Sequence, residues 1–457
     1  YSLRYGTMSV EQLVQKALAA GTDVIVLTDI NNSTAIPEFA GECTKNNIRP
    51  VAGIEFRNDN ELQYIGMARS NNGLRELNEF LSKLNFEKET VPFPAPQFSE
   101  SYIIYSLKKI PERKLFDNER VGIRPLEMTR LLTLGSSINR NSMVILQPVT
   151  FAGTDDIFIH KSLRSVDNNI LLSHLQPWQC AGEDEFFKSA DDNERTYREY
   201  PWLVNNTRKL LDDCSLQFDL KNLKNKKIYS ASRYDDKLLL EKLAWDGMVY
   251  RYGRENKEAK KRIQHELAII DKLGFSAYFL ITWDIISYSM ARGFYHVGRG
   301  SGANSVVAYC LKITNVDPID LNLYFERFIN PKRSSPPDFD IDYSWKERDE
   351  VIDYIFKRYG YGHTALLGTM STFRGKSIVR ELGKVHGLPK EEIDSLIDNP
   401  STETNRNEIT NTIFSTGLKI ADFPNMRSIH AGGILISEEP ITCYTALDMP
   451  PKGFPTT

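Results

Sequence analysis

The sequence predicts a multidomain α/β protein, and three observations predict it. In residues 1–220, short apolar runs ending near an acid alternate with helical spacing. A basic polar run, residues 220–227, then separates this region from one of long amphipathic helices. Inside the second region a glycine-rich turn, Gly298-Arg299-Gly300-Ser301-Gly302-Ala303, is followed by the alternating run Asp338-Phe339-Asp340-Ile341-Asp342-Tyr343.

Composition bounds the answer. The 457 residues suffice for two to four domains, and 41% apolar with 26% charged residues describes a globular chain. There are 57 basic and 60 acidic residues, net −3, so a nucleic-acid surface is expected only as a local patch. The five cysteines form no CxxC pair, which argues against a zinc site or disulfide framework and fits a reducing cytoplasm. No apolar run reaches membrane-spanning length and no signal peptide is visible, so the expected location is cytoplasmic, away from membranes.

In the first region, Ser9 is a cap candidate for a helix through Leu18. Residues 24–29 and 48–56 read as buried strands carrying Asp29 and Glu55 near their ends, the place where α/β barrels put functional acids. Pro92-Phe93-Pro94-Ala95-Pro96 reads as an extended linker, and Tyr102-Ile103-Ile104-Tyr105 as a strand. Residues 184–218 read as helical, with Trp202, Leu203, Leu210 and Leu211 forming a core stripe.

In the second region, residues 235–252 and 257–273 have amphipathic helical spacing, and Lys257, Lys260, Lys261 and Arg262 form a basic edge. Residues 275–290 read as a buried helix. The glycine turn lets the backbone approach a ligand, and the apolar helix expected after it, ending near Asn315, offers amides and a positive dipole end to an anion. Ser301 adds a hydroxyl and Arg299 a fixed charge; no Gly-Lys-Ser/Thr follows, so this is not a P-loop. Period-two alternation puts Asp338, Asp340 and Asp342 on one strand face, with same-face neighbours roughly 6.5–7 Å apart. Neighbouring carboxylates can then share a pair of divalent ions. Spacing leaves 338/340 and 340/342 equally suited; a solvated acidic face is the plain alternative. A charged helix is expected over residues 345–359.

In the last region, residues 367–376 lead into a helix through Ile378, Val379, Leu382 and Val385, with Arg374, Lys376 and Arg380 as phosphate-contact candidates. Residues 398–423 read as loop or mobile helix. His430, among small residues, is read either as a substrate-side group or as a packed histidine.

The glycine turn, Phe325-Glu326-Arg327-Phe328-Ile329-Asn330-Pro331 and Pro337-Asp338-Phe339-Asp340-Ile341-Asp342 resemble the palm of the C family of bacterial replicative DNA polymerases, the DNA polymerase III alpha subunits. The resemblance is dense over residues 248–447 and thinner back to the start. It implies a PHP-like α/β barrel over 1–220, a nucleotidyltransferase-type palm of mixed sheet and helices over 221–366, a small helical thumb over 367–425, and a palm return over 426–457. It further implies DNA-templated DNA synthesis with Mg²⁺. It selects Asp338 and Asp340 as metal-binding catalytic residues, leaves Asp342 behind them, and gives Gly300, Ser301 and Arg327 to the incoming triphosphate. Implied partners are primed template DNA, deoxynucleoside triphosphates, a sliding clamp and other replisome subunits.

Against the PHP pattern, Asp29, Glu55 and His160 match ligand positions, but the opening His-x-His strand is missing, Ile30 stands where histidine is common, and Gln147-Pro148-Val149-Thr150 replaces expected ligands. A barrel without hydrolytic activity is expected. The family's third aspartate, a nearby lysine and the fingers match nothing up to Thr457, so the chain is expected to be a fragment, inactive by itself. The rival readings are a metal phosphoesterase or exonuclease centred on the first region and a non-catalytic scaffold for DNA or replisome partners.

Overall fold

Local signals set the first elements. Ser9 caps α1 (Val10–Ala19): its hydroxyl accepts from the Gln12 amide (3.1 Å), while the Gln12 side chain accepts from the Ser9 amide (2.9 Å). The chain then runs through β1 (Val24–Ile30), α2 (Ile36–Lys45), β2 (Arg49–Asn58), β3 (Glu61–Ala68), α3 (Asn71–Glu87), β4 (Ser101–Ser106), β5 (Glu119–Ile123), β6 (Met143–Ile145), α4 (Asp156–Asn168), α5 (Ala190–Thr196) and α6 (Pro201–Asp212). This computed structural model describes residues 1–132, 138–330, 332, 338–399 and 407–457.

The six strands form one curled mixed sheet, half a barrel, in sequence order. β1 and β2 are parallel, β2–β3 and β3–β4 antiparallel, and β4, β5 and β6 parallel. Ile54, Phe56, Tyr64 and Tyr105 from its strands pack with Leu77 and Leu81 of α3 in the largest core of this region. The helix expected over 184–218 is two helices. Pro201 begins α6, and Tyr200 before it is held at φ −127°, ψ 57°, outside helical geometry. Leu203 and Leu210 of α6 are buried, as core packing requires.

Long helices build the second part: α7 (Arg233–Tyr252), α8 (Lys257–Leu273), α9 (Ser276–Ala291), β7 (His296–Arg299), α10 (Val306–Cys310), β8 (Asp340–Tyr343) and α11 (Arg348–Tyr359). Asn256 caps α8 and Gly274, at φ +74°, ends it. Asp284 on α9 accepts hydroxyls from Tyr229 (3.0 Å), Tyr354 (2.9 Å) and Tyr359 (2.9 Å), tying α11 to α9. The helix after the glycine turn is shorter than expected. It stops at Cys310, and Lys312 takes the left-handed φ of +64° that prevents continuation.

The chain closes with β9 (Thr364–Thr372), α12 (Lys376–Val385), α13 (Lys390–Asp398), α14 (Glu408–Ile420) and β10 (Pro424–Ile436). Two compact units result: Tyr1–Leu220 with Leu366–Gly433 and Ile441–Thr457, and Lys221–Ala365 with Ile434–Pro440. Residues 367–425 thus fold in the first unit, where Ile378, Leu382 and Ile413 share a core with Ile159 and Leu163 of α4. Residues 426–457 divide between the units. The stretch 398–423 contains a regular helix, α14, started by Asn407; residues 400–406 lie outside the described residues.

Candidate functional site

The site is built on a two-stranded ribbon. β7 and β8 pair antiparallel with Val297 opposite Asp342, Gly298 opposite Ile341, and Arg299 opposite Asp340. Burial alternates along 338–343: the three aspartates are exposed, while Phe339, Ile341 and Tyr343 pack on the core of the second unit. Phe339 stacks on Tyr278 (centroids 5.2 Å apart) and meets Phe279 edge-on, and its amide donates to the Tyr278 hydroxyl (2.9 Å). The Tyr343 hydroxyl lies 2.9 Å from Ser289 Oγ. These anchors fix the register that keeps the acids on the wet face. The paired strand begins at Asp340, so Asp338 stands just ahead of the ladder. Pro337 falls outside the described residues.

The glycine turn lies directly against this acid face. Gly300 has φ +73°, and a Cβ there would sit 2.7 Å from Asp340 Oδ2. Only glycine allows that conformation and that approach together. A Cβ on Gly302 would meet the Phe339 ring at 2.8 Å. Asn304 Nδ2 donates to the Ser301 carbonyl (2.8 Å) and closes the turn. The short helical turn Phe325–Arg327 packs beside Gly300–Asn304. Arg327 is exposed and makes no ion pair with another described residue. Gly300, Ser301, Asp340 and the segment bearing Arg327 are therefore neighbours; Asp338 precedes Asp340 on the same alternating run.

The helix end expected to receive an anion is already taken. Glu266 of α8 accepts from the amides of Val306 (2.9 Å) and Val307 (3.0 Å) and from the Ser305 hydroxyl (2.8 Å), with Arg262 at 3.6 Å. Glu266 is fully buried. Burial pushes its carboxyl up to about 7, against the pull of those donors. The protein's own carboxylate thus occupies the start of α10, which leaves only the turn's amides and the Ser301 hydroxyl to an outside anion. Sequence reading missed Glu266, yet a signal existed: an acid on the apolar stripe Ile263, Leu267, Ile270.

Arg299 is the other resident charge. Its Nε lies 2.7 Å from Asp342 Oδ2 and its Nη1 3.8 Å from Asp340 Oδ2. Among the described residues no group of three or more His, Cys, Asp or Glu side chains converges as a metal cage. The exposed carboxylates of 338–342 offer hard oxygen donors of the kind Mg²⁺ takes, one or two at a time, alongside substrate phosphates.

The acids of the first unit are arranged differently. Asp29 is buried and accepts from Ser2 Oγ (2.7 Å). Glu55 is bound by Arg57, and burial raises its carboxyl against that arginine's pull. His160 Nδ1 donates to the Tyr5 carbonyl (2.7 Å), and its Nε2 accepts from the Ala181 amide (2.9 Å). Burial lowers its pKa to about 4. Both ring nitrogens are consumed, so His160 is a hydrogen-bonded core histidine.

The remaining candidates sit apart from the ribbon in the chain. Arg374, Lys376 and Arg380 are exposed but each faces a carboxylate: Asp422 (2.7 Å), Asp398 (3.5 Å) and Asp394 (3.7 Å). His430 Nδ1 accepts from the amides of Gly432 (3.2 Å) and Gly433 (2.8 Å), closing its own turn.

Two stretches of the chain match known families. Residues 238–456 match the family described as the bacterial DNA polymerase III alpha NTPase domain, and residues 1–117 match the PHP domain. Over these two stretches the chain is similar to the PHP domain and to the bacterial DNA polymerase III alpha family. Among its relatives, a DNA polymerase III subunit alpha of Halalkalibacterium halodurans is 30% identical over 98% of this chain and 44% of its own length. The corresponding subunit of Bacillus subtilis is 28% identical over 99% of this chain and 45% of its own. An error-prone DNA polymerase of Symbiobacterium thermophilum is 26% identical over 99% and 48%. The chain spans under half the length of each of these relatives. No helix among the described residues is long and apolar enough to cross a membrane.

Proposed function

We propose that this chain carries the nucleotide-binding palm of a DNA-templated DNA polymerase. The observation that supports the reading is the close approach of Gly300 to Asp340, which puts the glycine turn beside the acidic strand. In this reading Asp338 and Asp340 would hold Mg²⁺, which would supply Lewis-acid stabilisation to the attacking hydroxyl and the leaving pyrophosphate. The chain's own groups do the positioning. The turn amides at Gly300 and the Ser301 hydroxyl hold phosphate oxygens, and Arg327, exposed and without an ion pair among the described residues, supplies a planar cation. Phe339 and Ile341, half-buried against the core, keep the acids aimed outward. Primed template DNA and deoxynucleoside triphosphates are the substrates, the sliding clamp and other replisome subunits the partners, and the cytoplasm the compartment.

The PHP domain is structural in this reading. Its candidate ligands Glu55 and His160 are bound to Arg57, Tyr5 and Ala181, which is the observation against a phosphoesterase centred there.

Calorimetric titration of the chain with dATP tests the site. Mg²⁺-dependent binding, lost in Asp340→Asn, is expected. Binding of equal strength without metal, or in the variant, overturns the assignment of Asp340.

A further inference from the structure

We propose that Arg299 is a stand-in cation for the acidic strand, neutralising Asp340 and Asp342 until a divalent ion displaces it. The inference rests on the metal role given to Asp340 above. Register places Arg299 directly opposite Asp340, so its side chain reaches both acids from the facing strand. Its Nε is 2.7 Å from Asp342 and its Nη1 3.8 Å from Asp340. Among the described residues no other cation is paired with either acid.

The contact is built to be temporary. Arg299, Asp340 and Asp342 are 60%, 50% and 57% exposed, so water can replace either partner at little cost. The ribbon does not depend on the guanidinium, because the backbone ladder and the packing of half-buried Phe339 and Tyr343 on the core hold it. Without any cation, carboxylates on one face raise each other's energy. With a divalent ion on Asp340, a guanidinium a few ångströms away is repelled. Arg299 and the ion therefore compete for Asp340, and the acid face is neutralised in both states.

Binding of Mn²⁺ alone to the chain, read from the loss of the free-ion paramagnetic resonance signal, tests this. Arg299→Gln is expected to bind Mn²⁺ up to about fivefold more tightly than the wild type, the scale of one exposed ion pair. Arg299→Lys keeps the charge and is expected to gain less. Independently of any variant, the Arg299 Nε–H resonance of the wild type is expected to shift as Mg²⁺ is added. Unchanged or weaker Mn²⁺ binding in Arg299→Gln, or an unmoved Nε–H signal at saturation, overturns the proposal. If Asp340→Asn still abolishes binding in that case, the metal reading survives alone. If Asp340→Asn binds Mn²⁺ as the wild type does, both fall.

Discussion

Two sets of acids in this protein have opposite surroundings. Asp29 and Glu55 lie in the first unit among permanent partners, Ser2 and Arg57, with His160 locked between two backbone groups. Asp340 and Asp342 on the ribbon, and Asp338 just ahead of it, stand exposed opposite a half-buried apolar face, paired only with a surface arginine among the described residues. The first set is spent on holding the fold. The second is left available. Matching residue types at matching positions do not make a metal site; what already binds each donor decides.

The largest expected effect sharpens that contrast. Asp340→Asn is expected to weaken Mg²⁺-dependent dATP binding on the order of a hundredfold, at or beyond the effect of disturbing a ligand's support. Asp29→Asn is expected to leave it unchanged. A comparable loss in both variants, seen by calorimetry, would erase the distinction.

His160→Ala attacks the other side of the comparison. It removes two buried hydrogen bonds and a ring packed on Phe151 and Tyr5, and is expected to cost about 2 kcal/mol in denaturant unfolding without altering metal content. The wild-type histidine has a folded pKa of about 4, below its ordinary 6.5. The unfolded chain therefore binds the proton more readily. Its contribution to stability is whole above about pH 6.5 and is lost as pH falls towards 4. His160→Ala is expected to flatten that part of the profile.

Glu266→Gln tests the buried carboxylate at the turn. It leaves one amide at the start of α10 facing an NH₂ group, at an expected cost of about 1–2 kcal/mol. Since burial lifts Glu266 to about 7 from its ordinary 4.5, the folded state binds this proton more readily. Wild-type stability accordingly falls as pH rises from 4.5 to 7, and the variant is expected to lack that component. The smallest effect is at Arg380. Its exposed pair with Asp394 predicts a change within about 0.5 kcal/mol for Arg380→Ala, while affinity for duplex DNA drops and its salt slope decreases by about 1.

Much of this was legible in the sequence because it depends on local rules. The period-two pattern of 338–343 showed which side chains face water, and the Ser9 and Asn256 caps mark helix starts. The Gly300–Asp340 contact was foreseen only as proximity of two motifs, since pairing across forty residues has no local signature. Glu266 and the Arg299 pairing were missed for the same reason: each acts through a partner brought by tertiary packing. The expected dipole site at α10 failed because hydrophobic patterning shows where a helix begins but not what caps it. The break at Pro201 was readable and was overridden by a strong apolar stripe.

The most direct test is where a divalent ion goes. Crystals of this chain soaked with Mn²⁺ and dATP would locate it by anomalous scattering. The account predicts a peak at Asp338 and Asp340 with the triphosphate on Gly300 and Ser301, and none at Asp29 and Glu55. Manganese at Asp29, Glu55 and His160, with the ribbon bare, would contradict it.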